Sequence, residues 1–131
     1  MGNKIWNSAF ASIEVSKLVK YYSSGSIRIP RYQRSYVWSR RTHREFIQSI
    51  IRRGSVTQVL HGYTIAGDPK TLWIADGRQR LESLSKILKL DSEESATVAD
   101  LDARVCVHLE LENHSAGYEV FKLVNQNIRL N

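Results

Sequence analysis

A single cysteine, Cys106, is present among 131 residues. One thiol cannot build an internal disulfide framework, so the small stapled secreted folds are excluded. No apolar run approaches the roughly 18 residues needed to span a bilayer, and no signal-peptide pattern opens the chain. The cytoplasm is therefore the expected compartment, with no membrane partner. No zinc motif is formed by His61, His108 and His114, and only one cysteine exists to assist them, so no dedicated metal site is expected. Neither a Gly-rich phosphate loop ending in Lys-Ser or Lys-Thr nor a Gly-x-Ser-x-Gly elbow occurs, which excludes the mechanisms tied to those motifs. Internal repeats and low-complexity tracts are absent too.

What is present has the balance of an ordinary globular domain, with 42% hydrophobic and 24% charged residues. The length suits one domain over residues 1–131, with 1–12 as a tail that can pack Trp6 and Phe10. The formal net charge of +6 is segregated along the chain. Residues 28–53 carry eight arginines, no lysine and one acid, Glu45, whereas residues 91–119 carry eight acids and one base, Arg104. An all-arginine block favours planar, bidentate recognition of phosphate or carboxylate. The same block is also what a solvated helix face would look like, pairing with the acidic segment.

The stretch Trp73-Ile74-Ala75-Asp76-Gly77-Arg78-Gln79-Arg80 runs from a β-prone segment through a turn into a helix. Gly77 frees the backbone to bend, and the unpaired N–H groups of the first helical turn point the same way as the arginines. An anion, foremost a phosphate, is the natural guest. Asp76 can orient water or hold Mg²⁺ carried in by a nucleotide, and Arg78 and Arg80 can neutralise phosphate oxygens.

Around this turn, Ser39 caps a helix to about Arg53 closed by Gly54, with His43, Phe46, Ile47, Ile50 and Ile51 in one stripe. Ser16 can cap a short helix stopped by Gly25, and Ile27 and Ile29 read as a brief strand ending at Pro30. Residues 56–65 read as a strand with Gly62 as a bulge, Ala66 to Lys70 as a turn, and Thr71 to Ala75 as its β partner. Leu81, Leu84, Ile87 and Leu88 lay down a helical stripe, and residues 91–102 read as a loop with at most a turn of helix. Val105, Val107, Leu109 and Leu111 alternate with Cys106, His108 and Glu110, turning Cys106 away from the core; no base partner marks it as a nucleophile. Asn113 or Ser115 can cap a last helix carrying Tyr118, Phe121 and Val124.

The segment Ile29 to Trp38 interleaves aromatics with Arg31, Gln33 and Arg34. Tyr32, Tyr36 and Trp38 can stack on a base or guanidinium, or simply pack the segment onto the domain. Packing is the favoured reading for Tyr36 and Trp38, and a site for Gln33 and Arg34. Arg40, Arg41 and Arg44 crowd the first turns of the next helix, where the macrodipole disfavours positive charge, so an anion or a carboxylate from 91–119 is expected nearby. With Arg31, they form the candidate surface for DNA or RNA.

Three motifs stand in order: Ile29-Pro30-Arg31-Tyr32-Gln33-Arg34 followed by Tyr36 and Trp38, Asp76-Gly77-Arg78-Gln79-Arg80-Leu81, and Phe121-Lys122-Leu123-Val124-Asn125. Together they resemble the N-terminal domain of GmrSD-type restriction and phage-defence proteins, a family of the ParB and sulfiredoxin-like superfamily. That family's usual signature reads Asp-Gly-Gln-Gln-Arg, and this chain departs from it with Arg78 in the middle. The resemblance implies an α+β domain, a small mixed β-sheet flanked by helices, that binds a nucleoside triphosphate and in several members hydrolyses it. It places Gln33, Arg34, Asp76, Gly77, Gln79 and Arg80 at the nucleotide, with Asn125 closing the site; Tyr32 and Arg78 are added as candidate nucleotide-binding residues, and Asp76, Arg80 and Arg34 are the candidate catalytic residues. It also implies a partner, a separate nuclease or defence-system subunit, because no nuclease domain is evident. Two other readings remain open: a non-catalytic nucleic-acid-binding module and a protein-interaction domain built on the opposed charged segments.

Overall fold

Strict alternation sets the centre of the sheet: Ala103, Val105 and Val107 are buried while Cys106 and His108 are only partly covered. A computed structural model describes Trp6, residues 10–33 and residues 35–130, the side chains of 125–130 excepted. In chain order its elements are β1 (Phe10–Glu14), α1 (Val15–Ser24), β2 (Ile27–Arg28), α2 (Arg40–Arg53), β3 (Val56–Ile65), β4 (Asp68–Asp76), α3 (Arg78–Leu88), α4 (Glu93–Ala99), β5 (Asp102–Leu111) and α5 (His114–Leu130). The five strands form one mixed sheet in the order β1-β5-β3-β4-β2. Neighbours pair antiparallel for β1 with β5 and β3 with β4, and parallel for β3 with β5 and β2 with β4. The expected α+β class with a small mixed sheet is the architecture found.

The two faces of the sheet are covered differently. On one face the apolar stripes of α1 to α4 (Leu18, Ile47, Ile50, Leu81, Leu84, Ile87 and Val98) meet Val56, Leu60, Leu72, Ile74, Val105 and Val107 in a single buried cluster. Burial of this layer stabilises the fold by roughly 25 cal/mol per Å² of apolar area removed from water. The other face receives α5, which packs on β3, β4 and β5. There a Cβ added to Gly117 would stand 2.2 Å from Cζ of the buried Tyr63 ring, so glycine is what lets this helix approach the sheet closely.

Local signals set most of the boundaries. The Ser39 hydroxyl accepts from the Thr42 N–H at 3.1 Å, and Gly54 closes α2 in the left-handed region at φ 77°. Gly25 ends α1 in the same way at φ 88°. Asn113 Oδ1 accepts from the Ala116 N–H at 3.0 Å, so Asn113 rather than Ser115 caps α5. The register of β3 against β4 shifts between His61 and Gly62, where a bulge was expected.

Four expectations need correction. α1 starts at Val15, so Ser16 lies inside it and Glu14 holds the cap position without a side-chain bond. The tail does not end in irregular structure: Phe10–Glu14 pairs with β5, and although Trp6 is buried, Phe10 is 66% exposed. Pairing with the alternating β5 edge supplies backbone bonds that no periodicity in residues 1–12 announces. The turn between β3 and β4 is shorter than read, because Asp68 and Pro69 already belong to β4. The acidic stretch after α3 contains α4, capped by Ser92 accepting from the Ser95 N–H at 3.1 Å, with Glu93 and Glu94 favourably placed in its first turn.

Candidate nucleotide site

The β4–α3 junction opens into a cleft of about 850 Å³. Ile74 and Ala75 are fully buried, which anchors the strand end. Gly77 then turns the chain at φ 113°, a conformation costly for any side chain, and a Cβ there would also stand 2.2 Å from Leu60 Cδ2. α3 begins at Arg78 with no side-chain cap bond from Gly77. The residues of this helix start, Gly77, Arg78, Gln79 and Arg80, line the cleft together with Asp76.

Each side chain of the turn has a distinct setting. Arg80 Nη2 lies 3.2 Å from Asp76 Oδ2 and Nη1 donates to Gln58 Oε1 at 3.1 Å, with the Arg80 side chain only 12% exposed. Burial lowers the Arg80 pKa, and the Asp76 carboxylate opposes that shift. The Arg78 Nε lies 3.6 Å from Glu82 Oε2. Glu82 in turn accepts from the Tyr22 hydroxyl at 2.7 Å; burial first, and then this bond, push the Tyr22 pKa up to about 12. Arg78 also borders a second cavity of about 910 Å³, lined by Tyr22, Arg28, Arg31, Trp73 and His114 among others. Arg78 and Tyr32 line both spaces.

The two glutamines stitch the facing loop to the sheet and helix. Gln33 Nε2 donates to the Ile74 carbonyl at 3.0 Å and also to that of Ala75. Gln79 Oε1 accepts from the N–H groups of Val37 and Trp38 at 2.9 and 3.3 Å, and its Nε2 donates to the Ser35 carbonyl at 3.1 Å. These amides build the walls of the cleft. The reading of Tyr36 as a packing residue agrees with its contacts, a 2.9 Å hydrogen bond with Ser83 and a place under Lys86, whereas Trp38 packs edge-on against Phe46 and also lines the cleft.

The remaining wall is aromatic. Tyr32, Tyr118 and Phe121 meet with ring centroids 5.2 to 6.2 Å apart and line the cleft. The Tyr32 hydroxyl donates to the Tyr63 hydroxyl at 3.2 Å, which is 2.8 Å from His114 Nδ1, tying the loop, the sheet and α5 together. Burial and the Tyr63 bond raise the Tyr32 pKa, leaving it a neutral phenol.

Of the residues expected at the nucleotide, Tyr32, Gln33, Asp76, Gly77, Arg78, Gln79 and Arg80 all line this one cleft. Arg34 lies outside the described residues. Asn125 belongs to α5, and its side chain lies outside the described residues. Arg31 lines the neighbouring cavity, whereas Arg40, Arg41 and Arg44 are exposed on α2 and line neither space. The carboxylate beside Arg41 is Glu45 on its own helix, at 3.6 Å. Gln58, Tyr118 and Phe121 were not expected as site residues; the three-residue spacing of Tyr118 and Phe121 was the available signal. On the same face of the sheet, ligand-capable atoms of His61, Cys106 and His108 lie within 4.8 Å of one another, a grouping that spacing in the chain does not reveal.

Among the described residues, no helix is long and apolar enough to cross a membrane. No curated protein and no solved structure matches the chain significantly. A family model does match, described as the GmrSD restriction endonuclease N-terminal domain, over residues 15–128. That span runs from the start of α1 to the last turn of α5 and includes every residue named in the cleft, so the chain belongs to the GmrSD restriction endonuclease N-terminal domain family.

Proposed function

We propose that the cleft binds a nucleoside triphosphate and hydrolyses it, and that this domain is the nucleotide-responsive part of a restriction or phage-defence system. The carrying observation is the pairing of two chemistries in one space: an uncapped helix N-terminus with Arg78 and Arg80 at one side, and the Tyr32, Tyr118 and Phe121 cluster at the other. Phosphates suit the first, and the planar base suits the second. Asp76 is partly exposed in the cleft and presents one carboxylate, which suits Mg²⁺, an ion commonly held by one or two carboxylates together with the substrate phosphates. When bound with the nucleotide, Mg²⁺ would neutralise developing phosphate charge. Arg80, held by Asp76 and Gln58, then meets the phosphate oxygens from a fixed position.

The same reading assigns the architecture to the ParB and sulfiredoxin-like class and the location to the cytoplasm. It also pairs the domain with a separate nuclease or defence subunit. A second function is favoured by one observation: Arg40, Arg41 and Arg44 are exposed together on α2, away from the cleft, as a DNA- or RNA-binding strip would require.

Calorimetric titration with each NTP and Mg²⁺, combined with assay of released phosphate, tests the main reading. Binding and turnover are expected for the parent, with affinity reduced on the order of tenfold or more in Arg80→Ala through loss of charge-assisted bonds. Turnover is expected to be lost in Asp76→Ala. Parent-like binding and turnover in both variants would remove the proposal.

A further inference from the structure

We infer that His61, Cys106 and His108 form a binding site for a zinc-class divalent cation, with three protein ligands and one position left for an exchangeable ligand. The sheet itself assembles the ligands. Cys106 and His108 are two residues apart on β5 and so project from the same face. His61 is the Cα partner of Cys106 across the parallel β3–β5 pairing, which sets it beside them. Cys106 Sγ is 3.8 Å from His108 Nε2, the two imidazoles stack with centroids 6.0 Å apart at 27°, and the ligand-capable atoms of all three lie within 4.8 Å of one another.

Tetrahedral zinc, with bonds of about 2.3 Å to sulfur and 2.0–2.1 Å to nitrogen, needs donor atoms roughly 3.3–3.6 Å apart. The observed spacing is within reach of side-chain rotation alone.

A second observation points to a ligand. Nδ1 of His61 is buried and has no hydrogen-bond partner among the described residues. A buried polar nitrogen left in that state is costly, and coordination of an ion through that nitrogen removes the cost. The donor set selects the ion class. A thiolate with two imidazoles suits zinc or another borderline-soft divalent ion, and suits Mg²⁺ or Ca²⁺ poorly.

Burial favours the neutral imidazoles of His61 and His108, the form that binds metal, and raises the Cys106 thiol, so an isolated nucleophilic thiolate is not what this setting provides. On binding, the Cys106 thiol proton is released to solvent and the sulfur bonds the ion as thiolate, while both imidazoles enter uncharged.

Three protein ligands leave the coordination open, as in catalytic rather than structural zinc sites. His61 also lines the cleft and is the Cα partner of Asp76, so the ion stands at the edge of the same space as the Asp-Gly-Arg-Gln-Arg turn. The site does not depend on nucleotide binding and is tested without it.

The test uses the whole chain, stripped with a chelator and titrated with Zn²⁺ against a chromophoric competitor, and separately with Co²⁺. One ion per chain is expected, and Co²⁺ should give a thiolate-to-metal charge-transfer band with intense tetrahedral d–d absorption. Cys106→Ser should abolish the charge-transfer band. His61→Ala and His108→Ala should each weaken binding by more than the roughly 10–100-fold that supporting residues around a metal typically cost, and His43→Ala should leave it unchanged. Circular dichroism checks each variant for folding. Absence of the charge-transfer band in the parent, or affinity unchanged by loss of His61 and of His108, would overturn the site whatever the folding of the cysteine variant.

Discussion

Arg80 and Asp76 face each other one helical turn apart, with Nη2 3.2 Å from Oδ2, across the glycine that links strand to helix. The contact fixes a guanidinium where the first turn of α3 meets the cleft, and its planar fork reaches Gln58 as well. Arg80→Lys keeps the charge and loses that two-way geometry. Nucleotide affinity is expected to fall on the order of tenfold, about 1.4 kcal/mol, with the fold intact by circular dichroism. An isothermal titration beside Arg80→Ala separates the contribution of geometry from that of charge.

Gln79 makes three hydrogen bonds to the backbone of residues 35–38, so its loss releases that loop. Gln79→Ala is expected to destabilise the domain by about 1–2 kcal/mol, since these bonds are partly solvent-exposed. Hydrogen exchange should report faster exchange at the Val37 and Trp38 amides, with those of β5 unchanged.

At Gly117 two opposing effects can be weighed. Alanine improves a helix interior by up to about 1 kcal/mol, but here its Cβ would stand 2.2 Å from the Tyr63 ring. That ring is fully buried and bonded to both Tyr32 and His114, so it cannot yield cheaply. Overpacking costs about 1–3 kcal/mol, so Gly117→Ala is expected to lower the thermal midpoint and loosen α5 from the sheet. Unchanged or increased stability would show that α5 can shift without cost.

His43 has its pKa lowered, first by burial and then by Lys86 and Arg44. A histidine held below its unfolded value contributes stability that is complete above about pH 6.5 and is lost as pH falls toward the folded pKa, because the unfolded chain then binds more protons. Urea unfolding across that window should show a shallower acid-side decline for His43→Gln than for the parent. An identical slope would mean that His43 titrates alike in both states.

The exposed arginines of α2 line neither the cleft nor the neighbouring cavity, so the two proposed functions can be tested apart. Replacing Arg40, Arg41 and Arg44 together with alanine should reduce the salt dependence of duplex binding by a slope of up to about 2.7, at roughly 0.9 for each phosphate contact. Fluorescence anisotropy against salt concentration measures this, and nucleotide affinity in the cleft is expected to stay as in the parent.

Residues close in sequence were legible as chemistry because one local element presents them together. The Ser39 and Gly54 caps, the alternation of Val105 and Val107 against Cys106, and the strand-turn-helix passage through Asp76 to Arg80 all follow from spacing and backbone preference. So does family membership, carried by three short motifs in order and matched over residues 15–128. The sequence by itself also determined the composition of the turn, one glycine and two arginines at a strand-to-helix passage.

Only the tertiary structure decided which residues share a space. The strand at Phe10–Glu14 exists because β5 offers it a bonding edge, and α4 because Ser92 caps it and Val98 reaches the core. Gln33 and Gln79 were read from the sequence as candidate site residues, but their work as stitches between loop, sheet and helix depends on carbonyls and amides some 40 residues away. His61 meets Cys106 through strand pairing across 45 positions of chain, a proximity set by sheet register that no one-dimensional spacing can carry.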